Sequence, residues 1–167
     1  MVPRIRAGEN LSDRLESLIQ NSNAFIVMRG AHGTLNELTT IIEEEDLRHE
    51  SGKADNQTKF CSRPIIIADP SGYTEDLLNY IFGKKITKFK NSLDTNILDQ
   101  IYFLPKDSYI TSRETPLMAT VSLSEKGKEY MAGILEAYSN GDSETICNLG
   151  VKTLRNAIGN SYSRVKE

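Results

Sequence analysis

The stretch AFIVMRGAHGTLNE, residues 24–37, decides how this chain reads. Its first five residues, Ala24 to Met28, form an uninterrupted apolar run, the pattern of a strand buried on both faces of a sheet. The run ends at Gly30. From Gly33-Thr34 onward, Leu35, Leu38, Ile41 and Ile42 recur at helical spacing. A buried strand that feeds a glycine turn and then a helix is the unit from which parallel α/β sheets are built. In such sheets ligands sit at the carboxyl ends of the strands. A helix N-terminus there offers unpaired N–H groups and about half a positive charge to an anion. Gly30 and Gly33 allow close approach of backbone to a ligand, and the Thr34 hydroxyl adds a donor suited to phosphate. Glu37 lies four residues after Gly33 on the same helix face, so its carboxylate can point toward the same pocket. Thr34-x-x-Glu37 has a second reading as a capping box, in which the threonine oxygen caps the Glu37 N–H and the glutamate returns to the Thr34 N–H. On the residues alone both readings stand.

Outward from this stretch the same alternation continues. LSDRLESLIQN (11–21) places Leu11, Leu15, Leu18 and Ile19 at helical spacing and predicts an amphipathic helix. The polar stretch 48–59, with Asn56 inside it, reads as a mobile loop. RPIIIADP (63–70) is a second buried strand with a proline near each end. SGYTEDLLNYIFG (71–83) is a helix closed by Gly83 at the position after its last turn. IYFLP (101–105) is a third apolar strand. Strand, helix, strand, helix, strand predicts βαβ units and a parallel sheet. The expectation is one Rossmann-like, three-layer α/β domain over residues 1–167 with a short parallel sheet. From Leu123 the chain reads as two helices, 123–138 and 142–159, with Gly141 between them, serving as packing material or a dimer surface. Three strands leave apolar faces in need of cover, so a homodimer is expected.

Composition narrows the classes. Apolar residues at 38% and charged residues at 26% make the chain too apolar for disorder. No apolar run approaches the roughly 20 residues needed to cross a bilayer, so no membrane association is expected. The N-terminal MVPRIRAGENLSDR has no apolar core of a secretory signal, which points to the cytoplasm. Cys61 and Cys147 are far apart without a CxxC, which argues against a disulfide framework and against zinc, and His49 adds no ligand spacing. No metal and no cofactor is expected. A sequence pI of about 5.5 argues against a nucleic-acid surface, and the basic stretch GKKITKFK (83–90), with Phe89 as its lone aromatic, reads as a solvated loop. The run Glu43-Glu44-Glu45-Asp46 reads as a solvated charged face.

The motif residues resemble the Lonely Guy family of cytokinin-activating phosphoribohydrolases, many of whose members carry the label "possible lysine decarboxylase". The family motif is PGGxGTxxE, and here the chain runs Arg29-Gly30-Ala31-His32-Gly33-Thr34-Leu35-Asn36-Glu37. Gly30, Gly33, Thr34 and Glu37 match, while Arg29 stands for the proline and Ala31 for the second glycine. Ser22-Asn23-Ala24 takes the place of the family's Ser-Asp-Ala, and eight positions earlier Arg14 takes the place of its arginine. RPIIIADPSGYTEDLLNYI resembles the family's Lys-Pro-apolar strand, Gly-Tyr and Leu-Leu helix. The resemblance covers residues 10–110 and implies that the family's first βαβ half, with its Gly-rich nucleotide turn, has no counterpart here.

The resemblance implies hydrolysis of the N-glycosidic bond of a nucleoside 5′-monophosphate, giving free base and ribose 5-phosphate. Glu37 would then stabilise an oxocarbenium-like ribose and activate water, with Arg14 orienting substrate. Arg29, Gly30, His32, Gly33 and Thr34 would bind phosphate. Each has a plainer reading: Arg14 as a surface arginine lying over Leu11 and Leu18, His32 as a solvated turn residue, Arg29 as a cation facing solvent. A cation beside a helix N-terminus is unfavourable unless an anion bridges the two, and Ala31 is costly if its position requires a positive φ. The rival function is a nucleotide-binding or sensing module without catalysis on the same scaffold. A third is a remnant that serves only dimerisation.

Overall fold

The computed structural model describes residues 11–30, 32–50, 63–88, 95–115 and 118–164. In chain order the elements are α1 (Leu11–Gln20), β1 (Phe25–Met28), α2 (His32–Glu50), β2 (Ile65–Ala68), α3 (Tyr73–Lys88), β3 (Ile101–Phe103), β4 (Tyr109–Thr115), β5 (Met118–Leu123), α4 (Glu125–Asn140), α5 (Ser143–Leu149), β6 (Lys152–Thr153) and α6 (Leu154–Arg164). The main sheet has the order β1-β2-β3-β6. Its first three strands are parallel, with Phe25 beside Ile65 and Ile65 beside Ile101. β6 closes the far edge antiparallel, with Lys152 beside Phe103. This is the Rossmann-like three-layer arrangement, with helices on both faces.

Phe25, Val27, Ile65, Ile67, Ile101 and Phe103 point to one face, where residues of α1, α2, α3 and α6 pack on them. Ile66, Ala68, Tyr102 and Leu104 point to the other, under Ile134 and Ala137 of α4 and Ile146 of α5. That second cluster contains no residue of β1. The expectation that residues 24–28 are buried on both faces therefore fails for one face. Ile26 is 49% exposed and Met28 65%, because β1 is the edge strand and the α4–α5 layer stops over its neighbours.

The foot of the helical layer is tied by a buried ion pair. Glu45, on α2, is fully buried and accepts hydrogen bonds from the Arg63 backbone N–H at 2.8 Å and Nε at 2.9 Å, and from its Nη2. Arg63 Nη1 donates to the carbonyls of Ile19 and Ser22, and the guanidinium lies 4.8 Å from the centre of the Phe25 ring. Glu43 and Glu44 are exposed, so the solvated-face reading of residues 43–46 holds for them and fails for Glu45. At the other end of β2, Asp69 caps α3. Its carboxylate accepts from the Ser71 and Thr74 N–H groups, both at 2.9 Å, and from their hydroxyls.

Four more expectations change. α3 runs through Gly83 to Lys88, because Gly83 is buried facing Ile158 of α6 rather than ending the helix. Residues 83–88, read as loop, are thus helical, while 89 and 90 lie outside the described residues. The helix expected over 142–159 is broken at Gly150, whose φ of 65° ends α5, after which the chain forms β6 before α6 begins. Tyr109–Thr115 and Met118–Leu123 form a separate antiparallel hairpin that has no counterpart in the sequence reading. Of the expected loop 48–59, residues 48–50 belong to α2 and the rest lies outside the described residues.

Removing one partner of a buried pair strands the other charge, so Glu45→Ala is expected to cost about 3–5 kcal/mol by chemical denaturation. Lys126→Ala, which breaks an exposed pair with Asp107, should cost at most about 1 kcal/mol. A Glu45→Ala loss as small as that of Lys126→Ala would mean the pair does not anchor the layer.

Burial alone would raise the Asp69 pKa, but the hydrogen bonds from Ser71 and Thr74 outweigh it and hold the carboxyl below its ordinary value. A depressed folded-state pKa contributes stability that is present above the unfolded value of about 3.9 and is lost as pH falls through the folded value. Asp69→Asn should accordingly destabilise at neutral pH, with the gap to wild type narrowing in acid melts. A gap that stays constant with pH would refute this account of Asp69.

Candidate functional site

The carboxyl ends of β1 and β2 deliver two helix N-termini to one edge of the molecule, and the two differ in charge. α3 has its anion built in: Asp69 fills its first N–H groups, and Glu75 and Asp76 follow in its first turn. α2 has no acidic residue in its first turn, and Arg29 directly precedes the glycine turn. A helix N-terminus that lacks a carboxylate of its own is the one that attracts an external anion.

Beside it lies a cavity of about 390 Å³, within the range of small-molecule sites. One wall is β1 and its flanks, Ala24 to Arg29; α2 contributes Thr34, Glu37, Leu38 and Ile41; α1 and its exit contribute Leu18 and Ser22. The lining is apolar at depth, with Arg29, Thr34 and Glu37 as its distinctive polar groups. Arg29 and Glu37 are exposed and Thr34 is half-buried.

The local geometry alters two sequence readings. α2 begins at His32, so Thr34 lies inside the first turn and is not the cap of the helix. The capping-box reading of Thr34-x-x-Glu37 therefore falls, and Glu37 stands in the second turn facing the cavity. Gly30 is required for a steric reason. A Cβ there would sit 1.9 Å from Thr34 Oγ1, so the threonine packs against bare backbone. Gly33 has open space around it, and neither glycine needs a left-handed backbone. Ala31 lies outside the described residues, and His32 is placed as the first residue of α2.

Of the residues singled out in the sequence, Arg29, Thr34 and Glu37 come together on the cavity wall. Gly30 supports Thr34 from behind. Arg14 does not join them: it is exposed on α1, one turn before Leu18, outside the cavity lining. Leu18, Ser22, Ile26 and Met28 were not anticipated as lining residues. The helical stripe carried a signal, since Leu18 is half exposed while Ile19 is buried.

A family model described as possible lysine decarboxylase matches residues 3–100, well over half of the chain. The chain belongs to that family. It is the family that the Lonely Guy resemblance indicated, and its members include phosphoribohydrolases acting on nucleoside monophosphates. The match takes in α1, β1, α2, β2 and α3, and with them every lining residue of the cavity. No curated protein and no solved structure matches the chain.

Close packing of Thr34 on Gly30 makes the two positions energetically coupled. Gly30→Ala should cost about 1–3 kcal/mol, the scale of overpacking a tight site. In a Thr34→Gly background, where the clashing atoms are gone, the same substitution should cost markedly less. Equal costs in both backgrounds, read from thermal melts, would show that Thr34 does not rest on Gly30.

Proposed function

We propose that the protein binds a nucleoside 5′-monophosphate in this cavity and hydrolyses its N-glycosidic bond to free base and ribose 5-phosphate. The observation that carries the proposal is the joint presence of Arg29, Thr34 and Glu37 in the lining of one cavity, at a helix N-terminus that has no acidic residue in its first turn. The phosphate lies against the α2 N–H groups with the Thr34 hydroxyl donating, and Arg29 faces its outer oxygens. The bridging anion offsets the cost of a cation next to that helix terminus. Glu37, a further turn along α2, faces the anomeric carbon. As the base leaves with the bonding electrons, positive charge grows on the ribose and the carboxylate stabilises it. The same carboxylate takes a proton from the water that adds to the sugar, and the departed base takes up that proton, which leaves Glu37 ionised again. Arg14 enters by family resemblance. It lies one turn from Leu18 on α1, on the same side of that helix.

A second reading, nucleotide binding without turnover, is favoured by the openness of the site. Glu37 is exposed, and among the described residues no strand covers the β1 side of the cavity, so these residues do not exclude water from the reacting centre. Among the described residues no helix is long and apolar enough to cross a membrane. A cytoplasmic location, where free nucleoside monophosphates occur, fits either reading.

Two measurements test the proposal. Calorimetry should show adenosine monophosphate binding more tightly than adenosine, with the difference reduced in Arg29→Ala; equal affinities for the two ligands would remove the phosphate site. Incubation with a panel of nucleoside monophosphates should release free base. Glu37→Gln keeps the shape and removes the charge, so turnover should drop by about 100-fold or more with an unchanged melting temperature. Full turnover in folded Glu37→Gln would end the catalytic role of Glu37, and binding without release by the wild type would establish the second reading.

A further inference from the structure

The hydroxyl of Tyr109, the first residue of β4, is buried and has no hydrogen-bond partner among the described residues. Buried polar groups are rarely left unpaired, so such an orphan calls for a partner that these residues do not supply. The ring is half-buried and packs on the α4–α5 side of the sheet, against the cluster that holds Ile66 and Ala68. Burial, and then the nearby Asp69 carboxylate, push the Tyr109 pKa up to about 12, so the phenol is a donor at neutral pH. Asp69 itself is fully subscribed. Its Oδ1 accepts from the N–H and hydroxyl of Ser71, and its Oδ2 from those of Thr74. A carboxylate has about four lone-pair sites, and these four donors fill them. Ala68, which precedes Asp69, stands beside Met28 in the parallel register, and Met28 lines the candidate nucleotide cavity. Adjacent strands are about 4.8 Å apart, so the Asp69–Tyr109 corner begins one strand beyond that cavity.

We propose that Tyr109 donates a hydrogen bond to the base of the bound nucleotide, at a ring nitrogen or a carbonyl oxygen, and is a specificity-determining residue of the site. The inference deepens the functional reading above and rests on it. Charge sorts the two ends of the ligand. The start of α2, with Arg29 before it and no acidic residue in its first turn, draws the phosphate. An anionic acceptor at Tyr109 would instead meet the Asp69 carboxylate and be repelled. The acceptor there is therefore neutral. With phosphate at α2 and ribose at Glu37, the base is the neutral end that remains. It extends across the carboxyl ends of β1 and β2, where ligands of parallel sheets lie. On the way it passes Met28, whose polarizable thioether suits contact with an aromatic ring. The hydroxyl is covered while part of the ring is exposed, so binding turns the Tyr109 side chain at the root of the β4–β5 hairpin.

Tyr109→Phe removes the oxygen and keeps the ring, and the full chain is measured by thermal melts and by calorimetry. Without ligand the variant should melt no lower than wild type, because an orphan hydroxyl contributes nothing to the fold. Its affinity for adenosine monophosphate should fall about tenfold, the scale of one hydrogen bond. Its affinity for ribose 5-phosphate, which has no base, should match that of wild type. Three outcomes would each overturn the assignment while leaving the phosphate site intact. One is an unchanged affinity of Tyr109→Phe for adenosine monophosphate. Another is an equal loss for ribose 5-phosphate, which would move the contact to the sugar. The third is a clearly lowered melting temperature, which would mean that the hydroxyl has its partner within the chain. Wild type that binds neither adenosine monophosphate nor ribose 5-phosphate refutes the functional reading, and the role of Tyr109 falls with it.

Discussion

A carboxylate with no solvent contact survives in a protein interior only when its desolvation is repaid by close, well-directed partners. Glu45 meets that condition through one side chain, Arg63, at the entrance to β2. The arginine also takes the carbonyls that end α1 and stacks on Phe25, the first residue of β1. Four elements converge on a single guanidinium. Its fork of donors is rigid, so the pair sets where α1 and α2 stand relative to the sheet as well as holding them there. The cavity lies between these elements, and its shape inherits that placement.

The foot of the layer is locked and the head is left unfilled. At the carboxyl ends of the strands, Asp69 satisfies the start of α3, whereas the start of α2 has Arg29, bare glycine backbone and an inward-facing Thr34. Two helices built from similar apolar periodicity thus have opposite electrostatic ends. One has its first N–H groups satisfied by Asp69, and the other has no acidic residue in its first turn. The exposed side chains of β1, Ile26 and Met28, belong to the same region and line the same cavity as Thr34 and Glu37.

Much of this was legible in the chain because it depends on short-range pattern. The three parallel strands were written as continuous apolar runs, and α1, α2 and α3 as 3.6-residue periodicities. The glycine turn with Thr34 and Glu37 marks the candidate site through residue type and spacing alone. Other features had no local signature. β6 is two residues long and gains its strand character only from lying beside Phe103. Gly83 has the look of a helix stop, yet α3 continues through it because α6 packs alongside and Gly83 is buried facing Ile158.

The sequence by itself determined the βαβ order, the polarity of the sheet, the family, and the chemical character of residues 29–37, since each follows from residue type and spacing along the chain. Only the tertiary structure decided which of four adjacent carboxylates is buried, because Glu43, Glu44, Glu45 and Asp46 differ only in which one the helix turns toward Arg63. It also decided that Ile26 and Met28 stand open rather than buried. An apolar run reports that a strand prefers cover on both faces, but whether cover exists depends on how far the α4–α5 layer, remote in sequence, extends across the sheet. Burial is a property of neighbours, and neighbours are set by the fold.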